Sequence, residues 1–229
     1  MSKPRILISG SDGQMGSFLK DELKDYECNF LDKKDFNISI SDHIDRIFED
    51  KNIKVFVNLA AFTRVDQAEI DRDLCFNINS ISLNKISRKC AEKKILLIHL
   101  STDYIFDGNQ EIAYTEESIP NPINFYGLSK LAGEQNIINS LSDYLILRTS
   151  WVFSEKGKNF FISIFKNSRI ENALEIIGDQ VGSPTYAGDL SKVIKMFIEK
   201  KLNNKDYHPR EIFNFSGIPK CSWFDFAEE

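Results

Sequence analysis

Apolar runs alternate with segments of helical periodicity over the first two thirds of the chain. Five runs are apolar throughout rather than at every second position, which indicates strands buried on both faces. These runs are residues 5–10, 28–32, 55–61, 95–101 and 144–150. The helical patterns between them cover residues 15–25, 43–52, 74–94 and a segment that begins near residue 125. This alternation predicts an α/β fold, a Rossmann-like doubly wound parallel sheet.

The pattern loosens after residue 151. Helices are predicted at 159–169 and 189–202, and strands at 174–179 and 211–217. Ser222 followed by Asp225 is typical of a helix N-terminus, although few residues remain to build that helix. We therefore expect a Rossmann-like domain over residues 1–150. A smaller substrate-binding part would cover 151–229, with some segments returning to the sheet and a truncated C-terminus.

Composition narrows the classes of function. The 229 residues carry a net charge of −5 and no dense basic stripe, which argues against nucleic-acid binding. No apolar run approaches the roughly 20 residues that span a bilayer, and the N-terminus lacks the shape of a signal peptide. Cys28, Cys75, Cys90 and Cys221 form no C-x-x-C pair, so free thiols in the cytoplasm are expected.

The stretch SGSDGQMG follows the first strand and opens the first helix. Gly10, Gly13 and Gly16 permit a tight turn and let backbone N–H groups approach a pyrophosphate. The spacing is G-x-x-G-x-x-G rather than the more familiar G-x-G-x-x-G. Its place between the first strand and the first helix nevertheless predicts dinucleotide binding, so residues 1–150 are expected to form an NAD(P)-binding domain.

Residues at the ends of the next two strands bear on the choice of cofactor. The Asp32 carboxylate can accept hydrogen bonds from the adenosine ribose and would repel a 2′-phosphate, which favours NADH. Lys33 and Lys34 follow at once and could hold that phosphate, so NADPH stays open. The alternative for Asp32 is that it only starts a turn. Ala60 and Ala61 are small enough for a cofactor to lie against the backbone.

Tyr126 and Lys130 lie four residues apart at the start of a predicted helix, so they project from one face. A nearby cation favours the phenolate and lowers a tyrosine pKa from about 10, which makes the hydroxyl a usable proton donor. Ser101 and Thr102 end the fourth strand, where a hydroxyl can bind a carbonyl oxygen beside Tyr126. Trp151, at the end of the fifth strand, could face a sugar or a base, or pack in the core.

These stretches resemble the extended short-chain dehydrogenase/reductase family, and more closely its dTDP-4-dehydrorhamnose reductase branch. The resemblance runs in order across nearly the whole chain. Its carriers are SGSDGQMG, VNLAAFTRVDQAE, HLSTDYIFDG, PNPINFYGLSKLAGE, LRTSWVF, GKNFF and GDQVGSPT.

The resemblance implies reduction of the 4-keto group of dTDP-4-dehydro-L-rhamnose to dTDP-L-rhamnose, with NADH or NADPH, for cell-surface polysaccharide synthesis. It assigns a catalytic triad of Thr102, Tyr126 and Lys130. Tyr126 would donate the proton to the keto oxygen, and Thr102 would hydrogen-bond that oxygen. Lys130 would bind the nicotinamide ribose and lower the pKa of Tyr126.

The resemblance also implies sets of contacts. The expected cofactor contacts are Gly10, Gly13, Gln14, Met15, Gly16, Asp32, Asn37, Ile38, Ala60, Ala61, Thr63, Tyr126 and Lys130. The expected sugar contacts are Thr102, Asp103, Trp151, Asn159 and Phe160. Two positions depart from the family pattern, because Leu59 is bulkier than usual and Asn37 replaces a common aspartate. Some members use magnesium at a dimer contact, but the sequence shows no acidic cluster for it; a homodimer remains an expectation.

Other functions share parts of this pattern. An epimerase or dehydratase of the same fold would hold NAD tightly through each turnover, so its cofactor would copurify. A non-catalytic relative serves as the regulatory subunit of methionine adenosyltransferase, although intact Thr102, Tyr126 and Lys130 favour retained chemistry. An inactive fragment and a reductase for another deoxysugar nucleotide are further alternatives.

Overall fold

The structure is a computed structural model that describes residues 3–140, 143–170 and 173–229. Its centre is a six-stranded sheet in the order β2-β1-β3-β4-β5-β9, with every neighbouring pair parallel. The six strands are β1 Arg5–Ser9, β2 Glu27–Leu31, β3 Ile53–Asn58, β4 Leu96–Thr102, β5 Tyr144–Thr149 and β9 Arg210–Asn214. The α/β fold predicted from the buried apolar runs is confirmed.

Helices cover both faces of the sheet. The helices are α1 Gln14–Glu22, α2 Ser41–Ile47, α3 Val65–Ala68, α4 Arg72–Phe76, α5 Ser82–Lys93, α6 Phe125–Asn139, α7 Phe160–Asn167, α8 Ala187–Asn203 and α9 Trp223–Glu228. One core joins α1 and α8 to the sheet, and a second joins α2, α5 and α6 to its other face. None of these helices is long and apolar enough to cross a membrane.

The strand order reverses direction between β1 and β3. Because β1 leads to β2 on one side and β3 leads to β4 on the other, a crevice opens between the carboxyl ends of β1 and β3. Ligands of doubly wound sheets bind at such switch points. The glycine-rich turn after β1 and the Ala60–Ala61 segment after β3 both lie there.

Two predicted elements differ from the structure. The strand predicted at 174–179 is wrong: residues 173–177 have no ladder among the described residues, and the Ile177 carbonyl accepts only a single hydrogen bond from Phe224 N, at 3.1 Å. The helix predicted at 74–94 is interrupted by a π-helical turn, Asn77–Ile81. This turn presses against α6 so closely that a Cβ on Gly133 would lie 2.1 Å from the Asn79 carbonyl oxygen.

The part after residue 151 is tied to the sheet by two elements. Strand β9 pairs with β5 at the sheet edge, and α8 packs against α1. Short strands connect the rest: β6 Val152–Phe153 pairs with β8 Thr185–Tyr186, and β7 Val181–Gly182 pairs with β10 Cys221–Ser222. The predicted helix start at Ser222 is confirmed, since Ser222 and Asp225 form a capping box at α9.

Candidate active site

A cleft of about 700 Å³ lies at the switch point, within the usual size range of small-molecule sites. Most of the residues predicted to bind cofactor or sugar line it. They are Gly10, Gly13, Gln14, Met15, Asn37, Ile38, Ala60, Ala61, Thr63, Thr102, Asp103, Tyr126, Lys130 and Trp151. Four of the predicted contact residues lie outside this lining. They are Gly16, Asp32, Asn159 and Phe160.

The glycine-rich turn brings the start of α1 to the cleft. Gly10 has a φ of +66°, and a Cβ there would lie 2.8 Å from Ala60 N, so only glycine lets the turn approach the end of β3. Gly13 is the N-cap of α1 and supplies no side-chain cap. The first N–H groups of α1 are therefore available to oxygens of a diphosphate. Gly16 serves packing, because its missing side chain admits the backbone of Ser11.

Asp32 occupies the turn after β2 rather than the cleft. Its Oδ1 accepts hydrogen bonds from Lys34 N at 2.7 Å and Asp35 N at 3.0 Å. Those two amides lower the pKa of the carboxyl group. The turn-forming alternative is thus what the structure has, while Lys33 lines the cleft.

Tyr126 lies in the first turn of α6, where the Asn124 side chain caps the helix by accepting from Gly127 N at 2.8 Å. Its side chain is buried and lines the cleft. Burial raises the pKa of Tyr126 well above its usual value, and the hydrogen bond with Thr102 opposes this rise only in part. Burial thus sets the direction of this shift, and a lowering of the Tyr126 pKa by Lys130 stays a prediction. The phenol keeps its proton at neutral pH, the state required of a proton donor.

Lys130 follows Tyr126 by one helical turn, but its ammonium points to the sheet. Its Nζ donates to the Leu100 carbonyl oxygen at 2.6 Å and lies 3.1 Å from Nε2 of His99. Burial lowers the pKa of Lys130 to about 8. The lysine can thus change its charge within the pH range in which enzymes work.

Thr102 and Asp103 form the third part of the site, at the end of β4. Thr102 Oγ1 donates to Asp103 Oδ1 at 3.1 Å, and it accepts from Tyr104 N at 3.2 Å. Thr102 also forms a hydrogen bond with the Tyr126 hydroxyl, and this bond favours the phenolate. Burial raises the pKa of Asp103 to about 6.

Trp151 forms an aromatic wall together with Trp223, which was not predicted from the sequence. The Trp151 and Trp223 rings stack with centroids 3.4 Å apart and an interplanar angle of 8°, and both line the cleft. Gly182 also contacts this ring closely, because a Cβ there would lie 2.4 Å from Cε2 of Trp151. Nothing in the local sequence around Trp223 signals this role, because its partner is 72 positions away and the pair forms only in the fold.

Asn159 and Phe160 support lining residues instead of lining the cleft. Asn159 caps α7 by accepting from Ile162 N at 3.0 Å, and its Nδ2 donates to Gln14 Oε1 at 2.5 Å. Phe160 packs on Trp223 with ring centroids 4.3 Å apart. Both residues therefore contact lining residues, and their direct contact with the sugar stays a prediction.

Other lining residues lie outside the predicted contact sets, although Lys33 and Ser101 were considered as possible ligands from the sequence. These lining residues are Asp12, Lys33, Phe36, Leu59, Val65, Ile78, Leu100, Ser101, Tyr104, Thr149, Val152, Lys158 and Trp223. Several of them directly follow a strand end that was predicted from the sequence. Their position in the chain, and not their residue type, could have indicated that they line the cleft. Within the described ranges, no group of three or more His, Cys, Asp or Glu side chains is placed to hold a metal ion.

The fold and the site together define a class. A doubly wound parallel sheet whose switch-point cleft gathers a tyrosine, a lysine one turn later and a threonine at the next strand end is that of the extended short-chain dehydrogenase/reductases.

The chain belongs to the family described as the RmlD substrate binding domain, whose model matches residues 4–229. It is 34% identical over 226 residues to the dTDP-4-dehydrorhamnose reductase of Aggregatibacter actinomycetemcomitans, covering 97% of this chain and 76% of that protein. It is 36% identical over 226 residues to the spore coat polysaccharide biosynthesis protein SpsK of Bacillus subtilis, covering 97% and 77%. The crystal structure of dTDP-4-dehydrorhamnose reductase from Bacillus anthracis with NADP superposes with a TM-score of 0.91 at 34% identity, covering 99% and 79%.

Proposed function

We propose that the chain reduces the 4-keto group of dTDP-4-dehydro-L-rhamnose to dTDP-L-rhamnose, with NADPH or NADH, for polysaccharide synthesis. The observation that carries the proposal is the grouping of Thr102, Tyr126 and Lys130 in one cleft. The relatives named dTDP-4-dehydrorhamnose reductase supply the substrate, and a related structure with NADP supports the cofactor.

The cleft fits a dinucleotide. The uncapped N-terminus of α1 offers backbone N–H groups to the diphosphate, and Ala60 and Ala61 leave room beside the strand end. Asn37 and Ile38 line the side reached by an adenosine. We assign NADPH as well as NADH because Asp32 is bound by its own turn, which leaves Lys33 in the cleft to meet a 2′-phosphate.

The chain's own groups account for the proton. When bound, the reduced nicotinamide supplies a hydride to the carbonyl carbon. Tyr126 holds its proton at neutral pH and gives it to the carbonyl oxygen as negative charge develops there. Thr102 orients the phenol and the oxygen, and the charged Lys130 favours the phenolate that remains. Trp151 and Trp223 offer a flat apolar wall to the sugar.

The test is oxidation of NADPH and of NADH in the presence of dTDP-4-dehydro-L-rhamnose, for wild type and Tyr126→Phe. We expect Tyr126→Phe to lose about 10²–10⁴-fold in kcat, because the proton donor is removed. Tyr144→Phe is the matched control. Tyr144 is equally buried, but it begins β5 and so lies at the end of the strand that is away from the cleft. Cofactor binding without oxidation by wild type would contradict the proposal.

Three features stay predictions from the sequence. They are the division at residue 150, the cytoplasmic location and the homodimer. Size-exclusion chromatography with light scattering tests the last of them.

A further inference from the structure

A row of polar side chains crosses the buried end of the sheet beside the cleft. Ser9, Asn58 and His99 are register partners on β1, β3 and β4, and each is at most 1% exposed. Lys130 of α6, also buried, meets the end of this row. Buried polar groups cost free energy unless they are hydrogen-bonded, so the pattern of these bonds constrains the protons strongly.

The hydrogen bonds fix the tautomer of His99. Ser9 Oγ donates to Asn58 Oδ1 at 2.7 Å, while Asn58 Nδ2 lies 3.3 Å from the Ala60 carbonyl oxygen and 3.0 Å from His99 Nδ1. A carbonyl only accepts, so Ala60 requires the amide nitrogen on that side, and this nitrogen donates to Nδ1 as well. Burial and the charge of Lys130 lower the pKa of His99 well below its usual value, so the ring is neutral. Its one proton therefore lies on Nε2.

That N–H points at Lys130. The Nε2–Nζ distance is 3.1 Å, and Nζ already donates to the Leu100 carbonyl oxygen. An ammonium has three donors and no lone pair, whereas a neutral amine can accept from Nε2–H. The row of Ser9, Asn58 and His99 therefore stabilises the amine form of Lys130 relative to the ammonium form.

The other ionisable groups that act on Lys130 favour the ammonium. Glu134 lies one turn along α6, but its carboxylate is bound by Arg148 of β5 at 2.8 Å. The Cys75 thiol of α4 acts in the same direction as Glu134. Burial outweighs both and lowers the pKa of Lys130 to about 8.

We propose that His99 is a positioning residue, whose Nε2–H faces Nζ of Lys130, holds that side chain in place and weakens its hold on a proton. The role in catalysis rests on the proposed function, but the tautomer and the proton affinity do not. Asn58, anchored by Ser9 and Ala60, sets the direction of the effect.

The first test determines the tautomer of His99. It needs one variant, which serves only to assign the NMR signals. A long-range ¹H–¹⁵N spectrum of the full chain at pH 7 reports which nitrogen of His99 is protonated, and His99→Gln identifies its signals. We expect a proton on Nε2 and a bare Nδ1. A proton on Nδ1, or on both nitrogens, would overturn the proposal.

The second test follows the ¹³Cε signal of Lys130 against pH. His99→Gln removes the imidazole N–H, and Asn58→Asp would draw the His99 proton to Nδ1, so both should raise the titration midpoint by about one pH unit. Ser9→Ala is the control, because the Ala60 carbonyl still orients the amide, and its midpoint should stay at the wild-type value. An unchanged midpoint in the folded His99→Gln and Asn58→Asp variants would overturn the proposal.

A kinetic readout separates this inference from the proposed function. In an active reductase the alkaline limb of kcat/KM should move upward together with the midpoint, whereas a merely structural role would lower kcat and leave the limb in place. If the midpoint moves but wild type reduces no sugar, the proposed function fails and the role of His99 toward Lys130 stands.

Discussion

The charges at the site are set by burial more than by neighbouring charges. Tyr126 keeps its proton because its hydroxyl is buried, and Lys130 loses its proton near pH 8 for the same reason. The acid and the cation are thus both available at neutral pH. The spacing of Tyr126 and Lys130 in the sequence suggested a lowered tyrosine pKa. Spacing carries no information on how deeply a side chain is buried, and burial raises this pKa.

The pH dependence of the reaction follows from Lys130. Its pKa is lowered to about 8, so the ammonium is present below that pH and is lost as the pH rises through it. We expect kcat/KM to fall above about pH 8, and we expect Lys130→Met to be nearly inactive at every pH. A kcat/KM profile that stays flat to pH 10 would show that the charge of Lys130 does not support the reaction.

Replacing Asp103 should have opposite effects on two properties: it should stabilise the fold and weaken binding of the nucleotide sugar. Its pKa is raised from 3.8 to about 6, so ionisation costs stability; the cost grows as the pH rises from about 4 and is complete above about 6. We expect Asp103→Asn to gain about 2 kcal/mol in unfolding free energy at pH 7 while raising KM for the nucleotide sugar. Urea unfolding at pH 4 and pH 7 checks the first effect, because the gain should vanish at pH 4.

At the scale of elements, the site depends on close approaches between backbones and rings. The turn after β1 meets the end of β3 at Gly10, and the π-helical turn meets α6 at Gly133. The Trp151 ring contacts both Gly182 of β7 and Trp223 of α9. Each contact joins segments that are distant in sequence, which is why local periodicity did not reveal them.

Gly182→Ala tests the aromatic wall. The new Cβ would lie 2.4 Å from a Trp151 ring that is already stacked on Trp223, so the ring must move. We expect KM for the nucleotide sugar to rise several-fold and the unfolding free energy to fall by about 1–3 kcal/mol. Gly178→Ala is the matched control, because its Cβ would make an ordinary 3.8 Å contact with Phe224 and should change neither value. Equal effects of the two substitutions would contradict the role of the wall.

At the scale of the molecule, the features that depend on local residue patterns could be predicted from the sequence. The continuous apolar strands and the glycine turn at Gly10 and Gly13 predicted the sheet and the position of its cleft. The strand at 174–179 was wrong because a strand also needs a partner, and none of the described residues pairs with this segment. The contacts of Trp223 and of the turn-bound Asp32 depend on tertiary packing, which no local pattern reports.

The most direct test of the central claim is to follow the hydride. Wild type is incubated with dTDP-4-dehydro-L-rhamnose and reduced cofactor that carries deuterium at both C4 positions of the nicotinamide, and the product is analysed by mass spectrometry and NMR. The account predicts one deuterium at C4 of the sugar for each cofactor oxidised, with product formed about 10²–10⁴-fold more slowly by Tyr126→Phe. A sugar product without deuterium, or one formed without net oxidation of the cofactor, would contradict it.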